Sequence, residues 1–452
     1  MKWNLVARNP EFRRQLWLEF SATRLIGMPA VLGLIFAAIA LRGSSALVSI
    51  AEAGFVVLVW AYGARLASAA LLDEVSEATW DAQRLSSLTA WQLTWGKLFG
   101  GTAYAWYGGA ISLMVWWAAA TSAGEALPIV ATIGLIAGGI ALQALGLCMA
   151  LAAARRGAAG ARRGGAWWVT MLAALPLLGK LPFQSAGFVV WWGVSAPMAS
   201  FAAMTAVVFA AWAVFGAPRM MAAALQVPQR PLAWLGFQIW IALFAAGFGP
   251  LDDGLWRFAI ALALVASTAA YITLAIEPPR LDLWQRFAAR WRENGLGLVT
   301  QQRAPLLLGS LVLSLLGGLL ASLLASWSAM SATAGMFGAA GLPLTVALLT
   351  CRDLALVAAL NWRSGIARVD GASMVLLVVL NLVLPWLLLA AGATTLSMWL
   401  QPLLGQWEGR LDVAADPLLA IGIAAVQALI ALAMARAAWQ PPQIAAAKPL
   451  AV

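Results

Sequence analysis

Residues 73–100 read "DEVSEATWDAQRLSSLTAWQLTWGKLFG". The stretch opens acidic, with Asp73, Glu74, Glu77 and Asp81, and stays mostly polar to its end. It lies between two apolar runs, 46–72 and 98–120, each long enough to cross a hydrocarbon core of about 30 Å. A polar, helix-like segment held between two such runs is a surface loop joining membrane spans. That reading sets the class: an all-α chain that crosses a membrane many times.

The rest of the chain agrees. Of 452 residues, 63% are hydrophobic and only 10% charged. A soluble domain of this size could not bury that much apolar surface. The short alternating segments of a closed barrel are not visible, so the expected fold is a helical bundle of about twelve spans. They are placed at 25–42, 46–72, 98–120, 127–154, 166–183, 186–216, 233–250, 255–276, 305–326, 337–358, 371–392 and 416–437.

The first residues, "MKWNLVARNPEFRRQLWLEFSATR", are charged and amphipathic and contain no cleavable signal pattern. They place the start of the chain on the cytoplasmic side. With that orientation, all of the 28 Lys and Arg except Arg42, Lys180, Arg257 and Arg410 fall on cytoplasmic segments or adjoining helix ends. Both termini and the loop around Arg155–Arg163 are then cytoplasmic, in a bacterial inner membrane. The net charge of +10 reads as a topology signal rather than as affinity for nucleic acid. The pairs Trp116–Trp117, Trp167–Trp168 and Trp191–Trp192 fall near expected span ends, where an amphipathic ring anchors at the headgroups.

The organisation expected is a first six-helix unit, 1–216, a cytoplasmic link, 217–232, and a second six-helix unit, 233–452. In each half a long cytoplasmic segment joins the second and third spans, and Trp80, Gln83 and Arg84 recur in plan as Trp284, Gln285 and Arg286. A six-plus-six repeat explains this. The alternative is one six-span unit followed by an unrelated extension.

Chemistry is sparse. There is no histidine, and the two cysteines, Cys148 and Cys351, sit far apart in apolar context, so neither a metal site nor a disulfide framework is expected. "WGKLFGG" lacks the upstream glycine and the following Ser or Thr of a phosphate loop. No G-x-S-x-G nucleophile elbow occurs either. The expectation is no catalysis and no cofactor in this chain.

Within the spans, Glu52 and Arg65 stand out as an intramembrane polar site. A lone carboxylate there is a functional candidate by default, or else it reaches interfacial water or pairs within the bundle. Asp252 and Asp253, in "GPLDDGLW", suit acid–base work or a cation, but the composition is that of an ordinary turn.

In the opening stretch the acids complement the dipole of a starting helix. Leu85, Leu88, Trp91 and Leu93 then give a partly apolar face, with "SSLT" as a break. Such an element either lies in the headgroup layer or docks on a partner. Four acids against Arg84 and Lys97 favour a protein partner.

These residues resemble the membrane subunit of type-2 ATP-binding-cassette exporters. The first cytoplasmic loop of that family typically reads E-x-G-T-L-E-x-L-L-x-T-P-L-S-P-W-E-I-x-x-G-K. Thr79, Trp80 and Asp81 fall on its core, Ser86 on the Thr before the first proline, Leu88 and Thr89 on the Leu-Ser, Trp91 on the aromatic, Leu93 on the Ile, and Gly96-Lys97 on the Gly-Lys. Ala78 stands where glycine is usual, Ser87 and Ala90 replace the prolines, and Gln92 replaces the glutamate. Residues 7–36, "ARNPEFRRQLWLEFSATRLIGMPAVLGLIF", are similar to the amphipathic entry helix and first span of the same family.

The resemblance implies that the loop is a coupling helix resting in a cleft of a separate ATPase, with Trp80, Leu85, Leu88, Trp91 and Leu93 as docking residues. A second docking position would fall at Trp284 and Arg286. ATP and magnesium would bind in the partner, present in two copies, and further periplasmic or membrane subunits fit the same picture. Two rivals stand beside it. An ion-coupled secondary transporter needs buried titratable groups, of which Glu52 is a poor supply. A membrane-embedded transferase needs clustered acids, and only Asp252–Asp253 qualify.

Overall fold

A computed structural model of the chain describes residues 9–124, 128–155, 187–227, 230–277, 279–295, 305–327, 341–364, 370–403 and 417–439. The described chain is an all-α bundle apart from one short hairpin. Eight of its helices are long and apolar enough to cross a membrane, and two shorter apolar ones, Leu232–Ala246 and Val375–Ala390, join them. The expected span at 166–183 lies outside the described residues.

The chain divides into two compact units, Met1–Val190 with Val194–Gln229, and Trp191–Gly193 with Arg230–Val452. The first begins with α1 (Pro10–Glu19), which carries proline in its first turn and the side chain of Asn9 as its N-cap. The span α2 (Ala22–Ala40) follows, capped by Ser21 and ended by the turn before Gly43, whose φ of 114° suits glycine alone. Next, α3 (Ser44–Phe55), a π-helical turn (Val56–Tyr62) and α4 (Gly63–Ser76) form one helix. At 1.5 Å per residue it runs about 50 Å, well beyond a hydrocarbon core of about 30 Å. The polar loop of 73–100 is built on its last turns. The loop supplies α5 (Trp80–Arg84) and α6 (Ala90–Trp95). A second π turn (Gly96–Gly100) leads into α7 (Ala103–Ser122), and α8 (Ile129–Arg155) follows.

Packing in this unit depends on small residues that let backbones approach, as in other membrane helices. Trp60 covers Gly138 and Gly139 and donates through Nε1 to Leu135 O at 2.8 Å. Gln143, fully buried, donates to the Val59 carbonyl within the π turn at 2.8 Å and accepts from Trp106 Nε1 at 3.0 Å. A polar group in an apolar interior is thus satisfied at both ends. Trp116 is also core, not a headgroup anchor, at 1% exposure.

The expected span 186–216 is corrected. Phe188–Trp191 and Val194–Pro197 pair as β1 and β2, and the helix, α9 (Met198–Ala224), starts only at Met198. Trp192 and Gly193 both have positive φ, 49° and 74°, as in the type I′ turn that joins tight hairpins. Trp191 and Trp192 belong with the second unit, where Trp191 Nε1 donates to Phe244 O at 3.0 Å and Trp192 N to Gly247 O at 2.8 Å. The expected link, 217–232, is helical as far as Ala224 and again from Leu232.

The second unit contains α10 (Leu232–Ala246), α11 (Gly254–Ile276), α12 (Leu281–Asn294), α13 (Leu306–Trp327), α14 (Leu342–Ser364), α15 (Asp370–Val378), α16 (Leu384–Ala390), α17 (Thr394–Leu400) and α18 (Pro417–Ala438). A π turn, Val379–Val383, joins α15 to α16. Between α11 and α13, Ser267 and Ser314 share a hydrogen bond of 2.7 Å where glycine and alanine bring the backbones close.

Candidate functional site

The polar loop is shaped by local rules. Helix α4 ends with Thr79 N donating to Glu74 O at 2.9 Å and Ala78 N to Val75 O at 3.4 Å, a Schellman cap with Ala78 at the left-handed position, φ 57°. Helix α5 is a single turn. Helix α6 starts in a capping box: Thr89 Oγ1 accepts from Gln92 N, and Gln92 Oε1 accepts from Thr89 N at 2.9 Å. Two short helices are therefore fixed with a bend between them.

The entry helix α1 then locks this loop in place. Asn9 Nδ2 donates to Gln92 O, in α6, at 2.8 Å. Lys97, entirely buried, donates through Nζ to Ala70 O at 3.1 Å, to Glu11 Oε1 at 3.4 Å and to Glu74 Oε2. Arg14 forks onto Glu11 at 2.8 and 2.9 Å and also reaches Glu74. Gln15 donates to Glu11 Oε1 at 2.9 Å, and Gln83, in α5, to Glu74 Oε1 at 2.7 Å. The two carboxylates balance the two cations, so the cluster is neutral as a whole. Burial alone would raise the Glu11 carboxyl, but hydrogen bonds from Arg14 and Gln15 and the charges of Lys97 and Arg14 bring it below the usual carboxylate range. The Arg14 guanidinium is held above its ordinary value, chiefly by its hydrogen bond to Glu11.

Close approach of α1 needs the glycines of "GKLFGG". A Cβ on Gly96 would strike Glu11, and one on Gly100 would lie 2.8 Å from Gln15 Cβ. The Gly-Lys that is no phosphate loop is a seat for the entry helix and a buried counter-ion for its acid.

The five expected docking residues separate. Trp80 and Leu93 are core, at 8% and 0% exposure, and the Trp80 ring lies 5.9 Å from Lys97 Nζ. Leu88 is half-buried against the same cluster. Leu85 and Trp91 are the exposed ones, at 89% and 42%. Trp91 continues into a ladder of rings with Trp95 at 5.0 Å and Phe99 beyond it at 4.7 Å.

In the second unit Trp284 packs with Ala270, Leu274, Leu307 and Leu354, whereas Arg286 is exposed. Glu52 is buried and Arg65 exposed on the same continuous helix, about 20 Å apart at 1.5 Å per residue, so they form no joint site. Asp252 and Asp253 lie in a one-turn 3-10 helix ahead of α11.

Besides the expected Glu52 and Arg65 of the first unit, the second unit holds a buried charged pair. Arg352 and Asp353, adjacent in sequence, are both buried near the middle of α14. Asp353 accepts from Arg352 Nε at 2.8 Å, from Tyr271 OH at 2.7 Å and from Asn381 Nδ2 at 2.7 Å. Arg352 further donates to Gln427 Oε1 at 2.5 Å, to Leu400 O at 3.3 Å and to Asn381 Oδ1. Its guanidinium and the carboxylate are engaged on every side. Opposite charges in an otherwise apolar run, "LLTCRDLALV", are the sequence signal for it.

No protein-family model, curated protein or solved structure matches the chain.

Proposed function

We propose that the chain is the membrane-spanning subunit of an ATP-driven exporter of the type-2 ATP-binding-cassette kind. It couples a separate ATPase to movement of a substrate across or within the bacterial inner membrane. In this reading the chain crosses the membrane about twelve times in a six-plus-six plan, with both termini cytoplasmic. It performs no covalent chemistry, and ATP and magnesium bind in the partner.

One observation carries the reading. The loop of residues 78–95 is tied to the entry helix by a four-charge clamp, of which Glu11, Glu74 and Lys97 are buried, yet presents Leu85 and Trp91 outward. A loop that served only as a connection would need neither the clamp nor the exposed apolar ridge. A lever receiving force from a docked partner needs both. The rival reading, ion-coupled transport, draws little support from Arg352–Asp353, because their donors and acceptors already satisfy one another.

The test is co-purification. The full chain, expressed with an ATPase encoded beside it, is expected to retain that ATPase in detergent and to show hydrolysis only in the complex. Hydrolysis by the isolated chain, or failure to retain the ATPase, overturns the proposal.

A further inference from the structure

The second unit's long connection differs in kind from the first. Helix α12 reads "LDLWQRFAARWREN", apolar on one side and polar on the other, where Arg286, Arg290 and Arg292 outnumber Asp282 and Glu293. Its anchor is Trp284, which packs against Leu274 in the last turn of α11 and Leu307 in the first turn of α13. Trp284 also meets Trp362 near the end of α14, edge to face at 6.3 Å, and Trp362 Nε1 donates to Pro279 O at 2.9 Å. These contacts place Trp284 beside the ends of three apolar helices.

What it turns outward is mixed. Leu283 and Trp291 are exposed, at 51% and 40%, Leu283 beside the packed face and Trp291 two turns on from Trp284 along it. Arg286 and Arg290 follow Leu283 at helical spacing, so cations and bare apolar groups share one side. Among the described residues, none of Arg286, Arg290 or Arg292 makes an ion pair, whereas Arg280 is paired with Asp282 at 3.1 Å. A solvated charged face explains the arginines but not the exposed Trp and Leu beside them. A protein cleft explains the apolar pair but not the excess of Arg286, Arg290 and Arg292 over Glu293, the acid on the same side that is not already paired with Arg280.

We infer that α12 is a binding surface for anionic phospholipid headgroups, with Leu283 and Trp291 in the boundary between headgroups and acyl chains and Arg286, Arg290 and Arg292 on lipid phosphates. Charge complementarity and the position beside the helix ends both fit this occupant. The inference is independent of the ATPase reading, and it assigns the second connection to the bilayer rather than to a second motor.

Native mass spectrometry of the full detergent-solubilised chain, titrated with phosphatidylglycerol or phosphatidylcholine, tests it. Phosphatidylglycerol should bind more tightly. The triple variant Arg286→Gln, Arg290→Gln, Arg292→Gln should lose about 100-fold of that affinity, at about 1 kcal/mol per cation and 1.4 kcal/mol per decade. The matching Arg→Lys triple should keep most of it, which separates lost charge from lost fold. A nitroxide on Leu283→Cys, with Cys148→Ser and Cys351→Ser, should report oxygen access typical of the acyl boundary in reconstituted bilayers. Equal affinity for the two lipids, or unchanged phosphatidylglycerol affinity in the Gln triple, overturns the inference. So does a nitroxide in bulk water, or loss of a bound ATPase with lipid affinity intact.

Discussion

Lys97 Nζ lies 3.4 Å from Glu11 Oε1 across 86 residues of chain, and the lysine is fully buried. The pair, with Glu74 and Arg14, ties the entry helix to the loop that follows α4. Breaking one partner of such a cluster leaves a buried charge uncompensated, at about 3–5 kcal/mol. Lys97→Ala is therefore expected to free α1 from the first unit. Amide exchange in residues 10–19 should rise by orders of magnitude, while exchange in α11 and α14 stays unchanged. Protection of α1 equal to the parent chain would contradict the clamp.

The clamp carries a pH signature. The Glu11 carboxyl is held below its ordinary value of 4.5, so its contribution is complete above that value and is lost as pH falls through the lowered one. The raised guanidinium of Arg14 contributes throughout and fails only at strongly alkaline pH. Exchange of α1 amides, corrected for the intrinsic pH dependence, should be flat from neutral pH down to the ordinary carboxyl value of 4.5 and rise only below it. Glu11→Gln should remove most of that rise. A rise centred near neutrality would assign the transition to some other group.

Ala78 occupies a left-handed cap, φ 57°, where glycine is the usual occupant. Ala78→Gly removes the Cβ strain at a position that already holds the conformation. It is expected to stabilise the first unit by about 0.5–1 kcal/mol, visible as a small upward shift in the unfolding midpoint. A destabilised variant would mean the backbone is not left-handed there.

How much of this was readable beforehand depends on sequence distance. Eight helices long and apolar enough to span were legible because apolar runs are local, and the bend at "SSLT" because caps are local. The hairpin at 188–197 was not, because "FVVWWGVSAP" is a short apolar run whose period does not separate strand from helix. Gly187 and Gly193, both at positive φ, were the available signals. The clamp was illegible for another reason: Arg14 and Glu74 are 60 residues apart, and nothing in either segment names the other. Arg352–Asp353 was legible as two charges in an uncharged run, but its partners Tyr271, Asn381 and Gln427 were not.

That second cluster gives its own test. Asp353→Asn or Arg352→Gln alone should destabilise the second unit by about 3–5 kcal/mol, because the remaining charge stays buried. Arg352→Met combined with Asp353→Leu removes both charges and should recover much of the loss. If the double variant keeps the transport proposed for the chain, the pair is a scaffold. If it is stable but inactive, the pair takes part in the proposed activity.

The docking reading rests on which side chains face out. Leu85 is 89% exposed and Trp91 42%, so an aspartate at either position disturbs little of the fold, within about 0.5 kcal/mol. In a docked apolar cleft the same aspartate loses its hydration without gaining a partner, at several kcal/mol. That is two or more decades of affinity at about 1.4 kcal/mol each. Leu85→Asp and Trp91→Asp are therefore expected to release the ATPase in a detergent pull-down while leaving the unfolding midpoint in place. Trp80→Ala should do the reverse in order. Its ring is buried against Leu93 and Lys97, so its loss should cost about 3–5 kcal/mol of stability first and weaken docking only as a consequence. If Leu85→Asp and Trp91→Asp both retain the partner at parental levels, the ridge is not the docking surface, and the clamp beneath it serves the fold alone.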